Sequence, residues 1–316
     1  MKAWDRVAAG HATDAPVPTT RRAYGLLALG IVCIGFSAIL TKWAGVPGPV
    51  AALYRVGIAT LVLAPFAGRG LRQTLRGGPA LPALILLAGV WFAGDLAVWN
   101  TSLGLTSAAN ATLLGNTSTI WVSLWSLLFL HERLRPLFWA GTALALVGAA
   151  AIVGADLSSV GTLGSGDLLA LGSSLFYAAY LLTTRRVRRT TGTLQFMWLS
   201  SLGATAVLLI YGLAQGLPLG GFSAATYGNL LALGLISHVV GWLSINYALG
   251  HLRASVTSVS LLGQPVITAL ASVPLLGEAL SAAQIAGGAL VLVGIGFANR
   301  SQAATPPVLP TDPPQG

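Results

Sequence analysis

Arg55 and Asp95 are charged side chains set inside long, otherwise uncharged apolar stretches of a 316-residue chain. A charge in such a setting is costly in a membrane and marks a functional candidate, because it must face a protein interior or a water-filled cavity. Arg55 closes the string Ala51-Ala52-Leu53-Tyr54-Arg55, and Asp95 sits in the next apolar run. Counted from the same membrane face at 1.5 Å per residue, both lie about 9–12 Å deep, in one layer. Opposite charges at one depth can pair in the unliganded protein, with a substrate or a proton competing for one of them. A permanent structural pair, or an Arg55 that snorkels outward, fits the same spacing.

A second set carries aromatic rings and amides. His238, Trp242 and Asn246 are spaced i, i+4, i+8 and share one helix face, as do Trp91, Asp95 and Trp99. Asn100 is turned about 100° away from the latter. Asn116, Tyr177 and Gln264-Pro265 fall near mid-membrane. Pro265 removes a backbone donor and can loosen a carbonyl one turn earlier, which supplies polarity without charge. Together Arg55, Trp91, Asp95, Asn116, Tyr177, His238, Trp242 and Gln264 form the expected substrate-binding set. Arg55 suits a carboxylate, and the rings suit a flat or apolar moiety. Packing or an interfacial belt accounts equally for each ring taken singly, and interhelical hydrogen bonding for each amide. On the binding reading, Trp242→Ala and Gln264→Ala alter apparent affinity rather than expression.

Motifs of catalysis are missing or incomplete. His131-Glu132-Arg133-Leu134-Arg135 opens like a zinc-protease helix but has Arg where the second His is required. Gly164-Ser165-Gly166-Asp167 resembles the motif of intramembrane aspartyl proteases, yet Asp167 precedes an apolar run as an N-cap would. No nucleophile elbow and no Gly-x-x-x-x-Gly-Lys loop occurs. The sequence therefore reads as a non-enzyme without cofactor or metal and without direct ATP drive. A channel, a non-transporting membrane receptor or, third, an intramembrane enzyme are the rival readings.

These residues need elements to hold them, and the composition says which. The chain is 55% hydrophobic and 8% charged, against about 25% charged in soluble domains; mean hydropathy is +0.78. One cysteine, Cys33, excludes a disulfide framework. Ten apolar runs are long enough to cross a bilayer, at roughly 23–42, 49–66, 80–103, 107–130, 136–154, 167–184, 193–213, 226–248, 254–276 and 282–299. The first is too long for a signal-peptide core and is read as retained. With the N-terminus inside, 15 of the 17 Lys and Arg fall on the cytoplasmic side, in the clusters Arg21-Arg22, Arg69 to Arg76, Arg133 to Arg135, Arg185 to Arg189, Arg253 and Arg300, together with Lys2 and Arg6. Lys42 lies at an outer helix end, and Asp156 and Asp167 share an outer loop. That bias places both termini in the cytoplasm of a multi-pass inner or plasma membrane protein. It also accounts for the net charge of +9 without nucleic acid.

Sliding the chain by 146 positions aligns Asn100 with Asn246, Leu103-Gly104 with Leu249-Gly250, Glu132 with Glu278, Gly141 with Gly287 and Gly148 with Gly294. Leu-Leu-Ala-Leu-Gly at 26–30 recurs at 168–172. The expected fold class is an all-α polytopic membrane protein of ten transmembrane helices, built as two five-helix repeats. An odd helix number forces the repeats into opposite orientations, an architecture recurrent in secondary transporters. The divisions are a basic segment 1–22, a first repeat 23–154, an extracytoplasmic linker 155–166, a second repeat 167–300 and a Pro-rich disordered tail 301–316. Glu132 and Glu278 read as turn-fixing groups, and Ser281 with Gln284 as a capping box. The paired glycines read as packing devices.

The turns His131-Glu132-Arg133-Leu134 and Gly277-Glu278-Ala279-Leu280, each before a Gly-rich helix, together with Pro49 and Arg55 of the second run, resemble EamA-type members of the drug/metabolite transporter superfamily. The resemblance spans about residues 23–299. It implies alternating access and export of amino acids or other small metabolites. The partners expected are a small-molecule substrate, the lipid bilayer, and protons or an exchanged solute. A homodimer is compatible with the sequence, since lipid-facing and partner-facing helix surfaces share one composition.

Overall fold

The computed structural model describes residues 17–76, 78–102, 105–106, 108–129, 132–154, 164–277 and 279–303. Residues 1–16, the linker positions 155–163, the tail from 304, and also Leu103-Gly104, His131 and Glu278 lie outside the described residues. Every regular element described is helical, and the elements group into ten crossings. We number them α1 (Val17–Gly35 continued by Ser37–Ala44), α2 (Gly48–Arg76), α3 (Ala80–Ser102), α4 (Ala108–Asn116 and Ser118–Phe129) and α5 (Pro136–Val153). The second half comprises α6 (Ser165–Val187), α7 (Thr193–Ala214), α8 (Ala224–Ala232, Leu233–Trp242 and Leu243–His251), α9 (Ala254–Leu261 and Gln264–Leu276) and α10 (Ala282–Ala303). Among the described residues, all but α4 are long and apolar enough to cross a membrane.

Local chemistry sets most helix ends. Pro136 opens α5 at its first turn, where a missing N–H costs nothing. Ser281 and Gln284 make the reciprocal bonds of a capping box, at 2.9 and 3.2 Å. Asp167 differs from expectation. It is the third residue of α6 rather than its cap, accepting Gly164 N at 3.0 Å and Thr106 Oγ1 at 2.6 Å, so it ties the α3–α4 connection to α6. Helix α2 runs on to Arg76, well past the expected end at residue 66. Leu71, Arg72, Gln73 and Arg76 are good helix formers, and bilayer thickness sets no limit once the chain has left it.

Two breaks occupy equivalent places in the repeats. Helix α4 is interrupted at Thr117 and α9 at Leu262-Gly263, and the 146-residue shift maps Thr117 onto Gly263. The Thr117 hydroxyl donates to Leu114 O at 2.5 Å, a side-chain competitor for the helical ladder. Helix α8 instead stays continuous through a π-helical turn region, Leu233–Trp242.

Helices α5 and α10 cross through the predicted glycines. A Cβ at Gly141 would lie 2.5 Å from Gly294 O, and one at Gly148 would lie 2.5 Å from Gly287 O. Helix α3 packs on α6 and α7, α2 on α7, α1 on α8, and α4 on α6 and α9. One buried cluster joins α1, α2, α3, α6, α7 and α8 around Phe92, Tyr180 and Trp242. Arg185, Arg189 and Arg253 gather at one end of the bundle. There the Arg22 guanidinium lies 5.4 Å above the Tyr247 ring, which stacks on His251 at 4.2 Å.

Candidate functional site

Helices α2, α3, α6, α8 and α9 bring their polar and aromatic residues to one interior region. On α2, Arg55 donates from Nη1 to Ser37 Oγ of α1 at 3.2 Å, and its guanidinium carbon lies 5.6 Å from the Phe92 ring centroid. Arg55 Nε is buried without a hydrogen-bond partner. On α3, Asp95 accepts Ser173 Oγ of α6 at 2.9 Å. The two charges attract each other, yet no ion pair joins them among the described residues. The direct pair open to the sequence reading is not formed, because Ser37 and Phe92 hold one group and Ser173 the other. Arg55, Asp95 and Tyr177 are half-buried among these helices. Gln264, half-buried at the α9 break, lies against the Tyr177 hydroxyl.

An aromatic wall borders this region. Trp242 is its centre, edge-on to Phe92 at 4.8 Å, Tyr180 at 5.3 Å and Tyr177 at 6.1 Å. His238 lies 5.6 Å from Phe92 and 6.5 Å from Trp242, centroid to centroid. Its Nε2 is 3.2 Å from the Ser201 hydroxyl, while Nδ1 is buried without a partner. Both His238 and Trp242 belong to the π-helical region of α8, a departure from regular helix often found where a helix serves a site.

Six of the eight expected site residues therefore converge: Arg55, Asp95, Tyr177, His238, Trp242 and Gln264. Trp91 packs its ring on Phe176 at 5.8 Å, off the wall. Asn116 ends the first half of α4, and its Nδ2 is buried without a partner. Buried polar atoms left unsatisfied cost about 1–3 kcal/mol each, so they are rare unless something else meets them. Three of the expected residues, Arg55, Asn116 and His238, carry such atoms. The other two amides differ. Asn246 links helices, accepting Tyr180 Oη of α6 at 3.1 Å and donating to Met197 Sδ of α7 at 3.0 Å, whereas Asn100 donates within its own helix to Leu96 O at 2.6 Å.

Sequence reasoning missed Phe92, Ser173 and Tyr180. Ser173, Tyr177 and Tyr180 are spaced i, i+4, i+7, and Phe92 stands three residues before Asp95, so helical periodicity contained the signal. The geometry also separates two substitutions that the sequence treats alike. Gln264→Ala should raise the half-saturating concentration with normal yield. Trp242→Ala should also lower yield and melting temperature, since emptying a buried Trp site costs about 3–5 kcal/mol. Wild-type half-saturation in Gln264→Ala would remove that residue from the site.

The family model described as the EamA-like transporter family matches residues 21–154 and 164–300, the two five-helix halves. A probable terminal-alkyne amino-acid exporter from Streptantibioticus cattleyicolor is 26% identical over 255 residues, 78% of this chain and 82% of that protein. A solved crystal structure has the same fold, with a TM-score of 0.72 at 21% identity over 92% of this chain and 100% of its own.

Proposed function

This chain belongs to the EamA-like transporter family, and from that premise we propose that it exports small amphipathic carboxylates, amino acids foremost, by alternating access across the inner or plasma membrane. The observation that carries this reading is Arg55: a guanidinium deep in the bundle, bonded to a serine hydroxyl and a ring face, with no carboxylate joined to it among the described residues. A buried charge without a counterion is strongly destabilising, and a ligand anion offsets that cost only while it is bound. The substrate carboxylate sits on Arg55. Its ammonium group is held near Asp95 and the ring faces, which favour cations, and its side chain lies along the Trp242 wall. The amino-acid exporter among the relatives supports this substrate class.

Coupling runs through Asp95 if protons drive transport, and through the same site without titration if solutes exchange. Both termini are cytoplasmic in this reading, following the Lys and Arg bias. The test is flux into and out of proteoliposomes with a panel of amino acids, their amine analogues and their carboxylic acid analogues, with and without a pH gradient. Gradient-dependent movement of the amino acids, with loss of the amine analogues, is the expected result; equal movement of amines would sink the carboxylate reading. In the proton-coupled case Asp95→Asn abolishes the response to the pH gradient while leaving exchange, and an unchanged pH response would exclude Asp95 as the coupling group.

A further inference from the structure

Glu132 is expected to fix a turn, but its side chain reaches another helix. Glu132 Oε2 accepts Ser255 Oγ of α9 at 2.5 Å, while its own N–H returns to Ser126 O of α4 at 3.0 Å. Arg185, near the end of α6, is attracted by the Glu132 carboxylate. It donates from Nη1 to Leu249 O at 3.1 Å and Gly250 O at 3.2 Å, two carbonyls in the last turn of α8, where a helix has no partners of its own to offer. Arg188 donates from Nε to Asn246 O at 3.0 Å and from Nη1 to Thr191 O. It is 8% exposed, and burial pulls its guanidinium down to about 10, which leaves it charged at neutral pH. The same Asn246 accepts the Tyr180 hydroxyl of the aromatic wall. One chain of contacts thus runs from the site to the end of the bundle and ties together α4, α6, α8 and α9.

The inverted repeat shows how one-sided this tie is. The 146-residue shift maps Ser255 onto Ala109, and the shift that aligns the two Leu-Leu-Ala-Leu-Gly strings maps Arg185 onto Trp43 and Arg188 onto Val46. Alanine and valine cannot make the equivalent bonds. Lys42 is the basic residue nearest this register at the opposite end, a single point charge rather than two guanidinium forks. The opposite end is instead held by different bonds, Thr226 Oγ1 to Ala44 O at 3.2 Å and Asn229 Nδ2 to Trp43 O at 3.1 Å, so the repeats, which exchange roles when such a carrier changes state, do not share this set.

We infer that Glu132, Ser255, Arg185 and Arg188 form a latch that closes the solute pathway at this end, read as the cytoplasmic one, and that loading from this side requires its release. Glu132 and the two arginines are gating residues and do not touch solute. The inference rests on the alternating-access reading, yet its test needs no solute. Ser258 is 2% exposed and lies between the latch and the site, its carbonyl accepting Thr119 Oγ1 of α4 at 3.2 Å. A Ser258→Cys reporter, in a Cys33→Ala background, is treated with a membrane-impermeant maleimide from either face of sealed vesicles.

In the parent, labelling from the latch face is expected to be slow. Glu132→Gln, Arg185→Gln or Ser255→Ala should each speed it by about tenfold, in line with losing one charge-assisted hydrogen bond. Glu132→Gln combined with Ser255→Ala should fall short of the sum of the two, since both weaken the Ser255–Glu132 bond. Ser255→Ala deletes a single hydroxyl and keeps the test alive if an arginine variant fails to fold. Rapid labelling of the parent from the latch face, or variant rates equal to the parent's, would overturn the latch. A chain that carries solute in the flux assay but whose labelling ignores these variants keeps its function and loses the latch.

Discussion

Arg55→Gln is expected to weaken transport of carboxylate solutes by on the order of 100-fold in Vmax/KM, the scale of losing one partner of a buried charged hydrogen bond. Arg55→Lys should rescue little, because an ammonium cannot present the paired donors that match a carboxylate. Stability should move the other way. Arg55 has no joined anion among the described residues and feels Asp95 only at a distance, so replacing it removes a poorly compensated charge and should hold or raise the melting temperature in detergent. A structural arginine would behave oppositely, losing melting temperature along with activity. Amine analogues that lack the carboxylate should be nearly indifferent to the change. Undiminished amino-acid flux in Arg55→Gln would end the case for a carboxylate seat.

The second large effect concerns folding rather than solute. Gly294→Ala should cost about 1–3 kcal/mol, the range for overpacking a tight contact. The new methyl would stand 2.5 Å from Gly141 O and 2.6 Å from Ala145 N, and neither backbone atom can swing aside. Gly296→Ala, two residues along the same helix, meets nothing within 4 Å. It should gain up to about 1 kcal/mol from helix propensity. Opposite signs from neighbouring glycines are the signature to look for in detergent melting curves. Gly141→Ala combined with Gly294→Ala should fall short of additivity, since both strain one crossing. A destabilised Gly296→Ala and a neutral Gly294→Ala would contradict the α5–α10 packing described above.

Much of this architecture was readable because charge is so scarce in the chain. Where Arg and Lys are almost confined to one set of loops, they mark helix ends, and the same scarcity isolates Arg55 and Asp95. The 146-residue register pairs Gly141 with Gly287 and Gly148 with Gly294 and marks them as packing positions, while the crossing of α5 on α10 at these glycines is a finding of the structure. Other parts left a weaker trace. Phe92 is one apolar residue among many in α3, and only its place beneath the Arg55 guanidinium singles it out. Pro265 hinted at the break in α9, but the matching break in α4 turns on Thr117, whose hydroxyl bond to Leu114 O is a local choice that spacing does not encode. Ser255 and Glu132 lie 123 residues apart, and no periodicity links positions so distant.

The one-sided latch also bears on what export can mean for this protein. A contact that stabilises one closed state lowers the population of the other, yet it does so for a solute arriving from either face. By detailed balance, Vmax/KM measured without any driving gradient must be the same in both directions, however strong the bonds at Glu132 and Arg185. What the latch redistributes is the half-saturating concentration at each membrane face, which becomes unequal. Directionality then belongs to the gradient the cell maintains, and the latch sets only the solute level at which each face responds.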